Sequence, residues 1–297
     1  MSSKKTLISL CVIVGFGLCM GSVQAQTQSQ ELQAIILISQ MQDFYYHQQI
    51  LRLQDIVTCK PRIELWSKQD IDQWDEMSKR LKKLVAIDKP DNERKAKFHK
   101  KMNSGFKEAT EYVNSMCEKW NQKGPLDREA MMPMIKAEAR FVYAADQLTR
   151  HLARDIDFGA LTQDQRQEVL EIILLSRMAE ELRTAIGTAF VENANWYVSD
   201  GIANFWPEIG QFDISSVLYQ AAVDFNKPEN NKKSELFRRL KNIKSLAVVN
   251  ASKLYAAKRE SNKTDFEALR GLKENFILLR PIFDKLMGQT VPQEKAS

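Results

Sequence analysis

Histidine is scarce in this chain, with three copies, and cysteine follows with four. His47, His99 and His151 fall on three different predicted helices, and no His-x-x-His or Glu-x-x-His pair accompanies them. The residues therefore carry no zinc or di-iron signature, and surface or half-buried histidines are expected. Without Cys-x-x-Cys-His there is no covalent haem site. A non-covalent one would need a methionine opposite a histidine, and methionines such as Met131, Met132 and Met134 read as core or loop filler. The 11 glycines form neither a Gly-x-Ser-x-Gly elbow nor a phosphate-cradling loop. Carboxylate pairs such as Asp70/Asp72 and Glu180/Glu181 read as solvated helix faces. These absences lead to the expectation of a non-enzyme with no cofactor and no metal.

Long apolar runs are equally scarce. The one from Leu7 to Met20 follows Lys4 and Lys5 and precedes Val23-Gln24-Ala25, the pattern of a secretory signal peptide over residues 1–25, cleaved near Ala25. A periplasmic or secreted protein with no membrane span after signal removal is the expectation. Removing the signal lowers the formal charge of +5 by the two lysines, and no clustered basic stripe remains, which argues against a nucleic-acid partner. It also leaves Cys59 and Cys117 as the remaining cysteines. In an exported chain such a pair reads as one disulfide, with two free thiols as the alternative.

What the chain does have is an internal echo. Glu31 to Met41 reads ELQAIILISQM and Glu168 to Met178 reads EVLEIILLSRM, 137 residues later. Leu65-Trp66 followed by Asp70-Ile71 is answered by Phe205-Trp206 followed by Asp213-Ile214, the second version lengthened around Pro207 and Gly210. Ala86 to Asn92 is answered by Ala222 to Asn230. Order and spacing persist while loops drift.

Helical periodicity runs through both copies. Ala34, Leu37, Ile38, Met41, Phe44 and Tyr45 share one face of the opening helix, and Leu174, Leu175, Met178 and Leu182 repeat it. The spacing predicts helices over 28–57, 68–86, 92–121, 127–156, 163–197, 212–225, 231–259 and 264–287. Pro281 should kink or split the last one. Thr162-Gln-Asp-Gln165 forms a capping box that starts the second copy. The expected fold is all-α, a tandem duplication of an antiparallel four-helix-bundle unit, with repeats over 26–158 and 160–288 and a polar tail over 289–297.

Aromatic groups, Phe44-Tyr45-Tyr46-His47 in one copy and Trp196-Tyr197 with Phe205-Trp206 in the other, read as large core residues closing the bundle ends, with a ligand pocket or partner groove as the alternative. The basic runs Arg94 to Lys101 and Arg238-Arg239 with Lys241 read as solvated faces, with contact to anionic headgroups or an acidic partner as the alternative.

Two copies of a four-helix unit, each opened by an apolar helix, resemble the sensor domain of type IV pilus methyl-accepting chemotaxis transducers. The nitrate/nitrite sensor kinases have a related input domain. The resemblance is one of architecture, and its motif is degenerate. Where relatives look like Leu-Ala-Gly-Arg-Gln-Arg-Met-Leu-Ser-Gln-Arg, the second copy has Leu174-Leu175-Ser176-Arg177-Met178 and the first has Leu37-Ile38-Ser39-Gln40-Met41. The resemblance implies a ligand site at Ser39, Gln40, Ser176 and Arg177. Gln40 cannot supply the charge that an arginine fork brings to an anion. It also implies a sensor-like binding protein linked to pilus or chemosensory signalling, without an output domain of its own, whose partner is a small ligand or an envelope or pilus protein. The alternative is a structural or protein-interaction component of the bacterial envelope with no small-molecule ligand.

Overall fold

A computed structural model describes residues 30–57, 66–123, 128–193, 205–261 and 263–290, with side chains described over 30–48, 66–115, 132–189, 205–261 and 263–288. Among the described residues the protein is all-α, with eight helices and no strand. They are α1 (Gln30–Val57), α2 (Lys68–Leu84), α3 (Glu93–Lys123), α4 (Arg128–Asp155), α5 (Gln163–Asn193), α6 (Phe205–Ala222), α7 (Asn231–Ser261) and α8 (Phe266–Thr290), with single 3-10 turns at Pro90–Asn92, Phe158–Ala160 and Pro228–Asn230. The candidate signal peptide lies outside the described residues.

Local chemistry sets the helix starts. At α2, the Ser67 hydroxyl accepts from the Asp70 amide (3.3 Å) while the Asp70 carboxylate accepts from the Ser67 amide (2.9 Å), a reciprocal capping box. The box expected at Thr162 is present: Thr162 Oγ1 accepts from the Gln165 amide (3.3 Å), and Gln165 Oε1 accepts from the Thr162 amide (2.9 Å).

The two Lys-Pro-x-Asn turns have one construction. Lys89 and Lys227 are extended, with ψ of 140° and 131°, and the prolines open the 3-10 turns. Asn92 donates its side-chain amide to the Val85 and Ala86 carbonyls (both 3.1 Å), and Asn230 donates to the Asp224 carbonyl (2.9 Å). Ala86 takes the left-handed conformation (φ 48°) without being glycine, a strain of about 1 kcal/mol that the bonds around it must offset.

One expectation needs correction and another is narrowed. The second copy is not lengthened near Pro207 and Gly210. Both lie inside α6, which starts at Phe205 because proline in a first turn gives up an amide that has no intrahelical partner there. Counted back from the shared turn, Trp74 matches Phe212, Ser78 matches Ser216, Leu81 matches Tyr219 and Val85 matches Val223, all eight of them buried. Asp213 and Ile214, by contrast, are exposed, and Asp70-Ile71 is answered by Glu208-Ile209. Of the kink or split expected at Pro281, the split does not occur, since α8 runs unbroken from Phe266 to Thr290. Pro281 is exposed, so water can reach the carbonyl it leaves unbonded.

Neighbours within a repeat run antiparallel. Trp74 and Phe106 stack face to face at 3.7 Å between α2 and α3. Between α3 and α4, Lys95 pairs with Asp155 near one end and Glu108 with Arg140 further along. Gly105 brings the same two backbones together: a Cβ there would stand 2.8 Å from the Ala137 carbonyl oxygen. The repeats meet along their opening helices. α1 packs on α5 and α8 as well as on α2 and α4, and the apolar core runs unbroken from one repeat into the other.

Candidate functional site

The two opening helices carry the same pattern of buried positions, so an internal pseudo-symmetry relates α1 to α5. Ser39 answers Ser176, Asp43 answers Glu180, and Tyr46 answers Arg183, each 137 residues apart. The seam between the helices is built from these pairs.

On the α1 side of the seam, charge is matched. Arg183 reaches from α5 and is 3% exposed, and its Nη2 stands 3.1 Å from Asp43 Oδ1, a carboxylate 7% exposed. The Arg183 Nη1 donates to the Ser39 carbonyl (3.2 Å) and to its hydroxyl (3.4 Å), and the guanidinium lies 5.6 Å from the centre of the Phe283 ring. Arg280 of α8 approaches the other oxygen of Asp43 at 3.3 Å and lies 3.8 Å from Asp284. His47, against Phe276 of α8, is held below its ordinary pKa, first by burial and then by Arg280 and Arg183, with Asp43 opposing.

On the α5 side, charge is not matched. The position of Arg183 is taken by Tyr46, fully buried, whose hydroxyl lies 3.3 Å from the Thr184 hydroxyl, and its ring sits where Gly187 leaves room, 3.1 Å from a would-be Cβ. Around it stand Glu138 and Asp146 from α4, Glu180 and Glu181 from α5 and Glu208 from α6, with Arg150 and Arg177 as counter-charges. Arg150 bonds Asp146 at 2.8 Å, and Arg177 stands 3.6 Å from Glu181. Burial pushes Glu180 up to about 8, with Asp146, Glu181 and Glu208 adding to the rise and the Gln42 side chain alone partly offsetting it. Burial lifts Glu138 to about 7. It lifts Glu181 to about 7 as well, against the Ser215 hydroxyl, which donates to it at 3.0 Å.

The residues singled out from the family motif separate. Ser39 and Ser176 are buried on the seam, while Gln40 is exposed and Arg177 turns outward to Glu181. The structure does not bring Gln40 and Arg177 together. Ser176 Oγ has no hydrogen-bond partner among the described residues, because the arginine that serves Ser39 is answered here by a tyrosine. Glu181 is buried and Glu180 half-buried, which corrects the reading of that pair as a solvated face. Asp43 and Arg183 escaped the sequence reading, although each was visible as a charge at a core-spaced position of an apolar stripe, Ser39-Asp43-Tyr46 and Ala179-Arg183-Ile186.

The other candidates lie elsewhere. His99 lies within 3.1 Å of the Ser78 hydroxyl and 3.2 Å of its carbonyl, and His151 stacks on Phe98 at 5.4 Å. Cys59 lies outside the described residues, and Cys117 stands in α3 with its side chain outside them. Trp196 and Tyr197 also lie outside. Trp66 is buried, as a core residue should be, but Trp206 is 40% exposed and its neighbour Phe205 fills the core instead.

Among the described residues, no group of three or more His, Cys, Asp or Glu side chains is placed to hold a metal ion, the seam acids included. No described helix is long and apolar enough to cross a membrane. A depression of about 170 Å³ lies between α7 and α8, lined by residues such as Asn250, Lys253 and Arg270. It falls below the several hundred Å³ usual for ligand pockets. Comparison with known proteins finds no matching family model, no matching curated protein and no matching solved structure.

Proposed function

We propose that this chain is an exported, non-catalytic helical protein of the bacterial envelope that acts by binding, with a surface rather than a pocket as its working part. One observation supports the reading most directly: of the four positions taken from the family motif, Ser39 and Ser176 are buried, Arg177 stands 3.6 Å from Glu181, and Gln40 is exposed away from them. Arg183 is neutralised by Asp43 and occupies the Ser39 carbonyl. An anion entering the seam would have to displace a buried carboxylate from a buried guanidinium, which costs about 3–5 kcal/mol when such a pair is broken.

A second reading, a sensor-like component of a type IV pilus or chemosensory system that takes a small ligand, is favoured by the unmatched side of the seam. Carboxyls at Glu138, Glu180 and Glu181 that exchange protons near neutrality give the interface two charge states. Thermal unfolding in the presence of nitrate, nitrite, phosphate and small carboxylates separates the readings, because a ligand specific to the native state raises the midpoint. The surface reading expects no shift. A saturable rise that disappears in Arg183→Met restores the small-ligand sensor.

A further inference from the structure

Among the described residues, α6 exposes more large apolar side chains than any other helix. Its counterpart α2 carries five basic and four acidic residues in 17 positions, as a solvated helix should. The exposed side of α6 instead presents Trp206, Gly210, Ile214, Val217, Leu218 and Ala221, with Ile214 55%, Val217 63% and Leu218 48% exposed. At 1.5 Å per residue this stripe is roughly 22 Å long. α6 has no basic residue and two acids. Glu208 is half-buried, and Asp213, which lies toward α7, is tied to Lys244 at 3.0 Å. Exposed apolar faces of this length mark a docking surface.

The neighbouring helix supplies the charge. α7 holds nine basic side chains against two acidic ones. Lys244 on Asp213 and Phe237 against Tyr219 (5.4 Å) fix the antiparallel register of α6 and α7. Arg238 and the exposed Lys241, whose ammonium lies over the Phe237 ring, therefore flank the Val217 to Ala221 end. Val249, 50% exposed, stands toward the Trp206 end.

We infer that the α6 face, with the basic flank of α7, docks this protein on the surface of an anionic lipid bilayer, α6 lying in the plane of the interface. The inference rests on the reading of a protein that works through its surface, and names what that surface meets. An apolar stripe bordered by Lys and Arg and ending in Trp is the composition that partitions into headgroup regions. An antiparallel two-fold contact between α6 faces would bring two basic α7 flanks together, which disfavours that pairing with a second copy as the occupant. Protein hot spots seat anchors in pockets, whereas this face is open, with nothing within 4 Å of a Cβ built on Gly210. A bilayer needs no pocket.

Flotation of the full chain with equimolar phosphatidylglycerol–phosphatidylcholine vesicles, and with phosphatidylcholine vesicles alone, tests this. Binding is expected on the anionic vesicles, roughly tenfold weaker on the neutral ones. Val217→Glu should lower anionic binding roughly tenfold or more with unchanged circular dichroism, since the side chain is exposed. Arg238→Glu with Lys241→Glu should reduce the preference for anionic over neutral vesicles. Using each variant in the same full chain cancels any lipid affinity of the Leu7 to Met20 run. The inference is overturned by absence of flotation, by binding that Val217→Glu leaves intact, or by a dimer that Val217→Glu dissociates in a chain that does not float. Any of these leaves the surface reading to be judged by the ligand panel, which alone can overturn it.

Discussion

Between α2 and α3 the first repeat bonds its polar side chains to one another, and at the matching positions of α6 and α7 the second repeat does not. Trp74 donates its indole N–H to Asn103 at 2.9 Å, and the side chains of Ser78 and His99 meet at 3.1 Å, so α2 and α3 are joined by a bonded polar set. At matching positions the second repeat has Phe212, Lys241, Ser216 and Phe237. The Ser216 hydroxyl is left without a partner among the described residues. The same drift shows outside, where charged α2 faces apolar α6. It shows at the seam too, where Asp43 has two arginines and Glu180 faces a tyrosine. One backbone thus tolerates opposite polarities so long as the buried positions stay apolar at the right spacing, and each departure leaves a group that needs a partner from elsewhere.

The seam gives the largest test of this contrast. Asp43→Ala should destabilise by about 3–5 kcal/mol in chemical denaturation, because Arg183 would keep its charge in a buried site without a counter-ion. Glu180→Gln, at the answering position, should leave stability unchanged or raise it at alkaline pH. Equal losses at the two positions would erase the distinction.

Stability should also fall as pH rises from about 6.5 to about 9. Glu138, Glu180 and Glu181 have native pKa values near 7 to 8, above the 4.5 of a free glutamate, so the native state binds more protons than the unfolded chain in that interval. Their contribution is complete below about 4.5 and lost through 7 to 8. Burial lowers His47 and His99, whose contribution is present above 6.5 and lost below it, outside the test interval. The melting midpoint should drop by several degrees across the interval in the native sequence and by less in Glu180→Gln. A flat profile would show that these carboxyls are solvated.

Smaller effects belong to the turns and to the helix pairs. Asn92→Ala removes two side-chain bonds to carbonyls and Asn230→Ala one, so losses of about 2 and about 1 kcal/mol are expected from urea midpoints. Ser78→Ala should cost about 1 kcal/mol by removing the hydroxyl contact to His99, which keeps the Ser78 carbonyl, while Ser216→Ala should be neutral or slightly stabilising. The reverse order would mean that Ser216 is bonded and the contrast between the repeats smaller than their residues indicate.

Much of this fold was legible in the chain. Seven of the eight helices fall within a few residues of their apolar periodicity, and the Thr162 box forms as its spacing required, because caps and amphipathic stripes are local signals. α6 was misread at its start since Pro207 and Gly210 look like a loop until Pro207 is placed in the first turn and Gly210 on the exposed face. The seam was legible only as two oddities, Asp43 and Arg183, each a charge in an apolar stripe. Nothing in either helix said that the two would meet, because partners 140 residues apart are chosen by packing.

The amino-acid order by itself therefore determined the helices, their caps and the doubling of the unit, all of which follow from interactions within a few turns of chain. Which of two equivalent acids finds an arginine, which serine loses its partner and which helix turns an apolar face to solvent were decided by the tertiary structure. Burial sets the energy of a charge or a hydroxyl through neighbours brought from distant parts of the sequence, and α1 has those neighbours only because α5 and α8 pack against it.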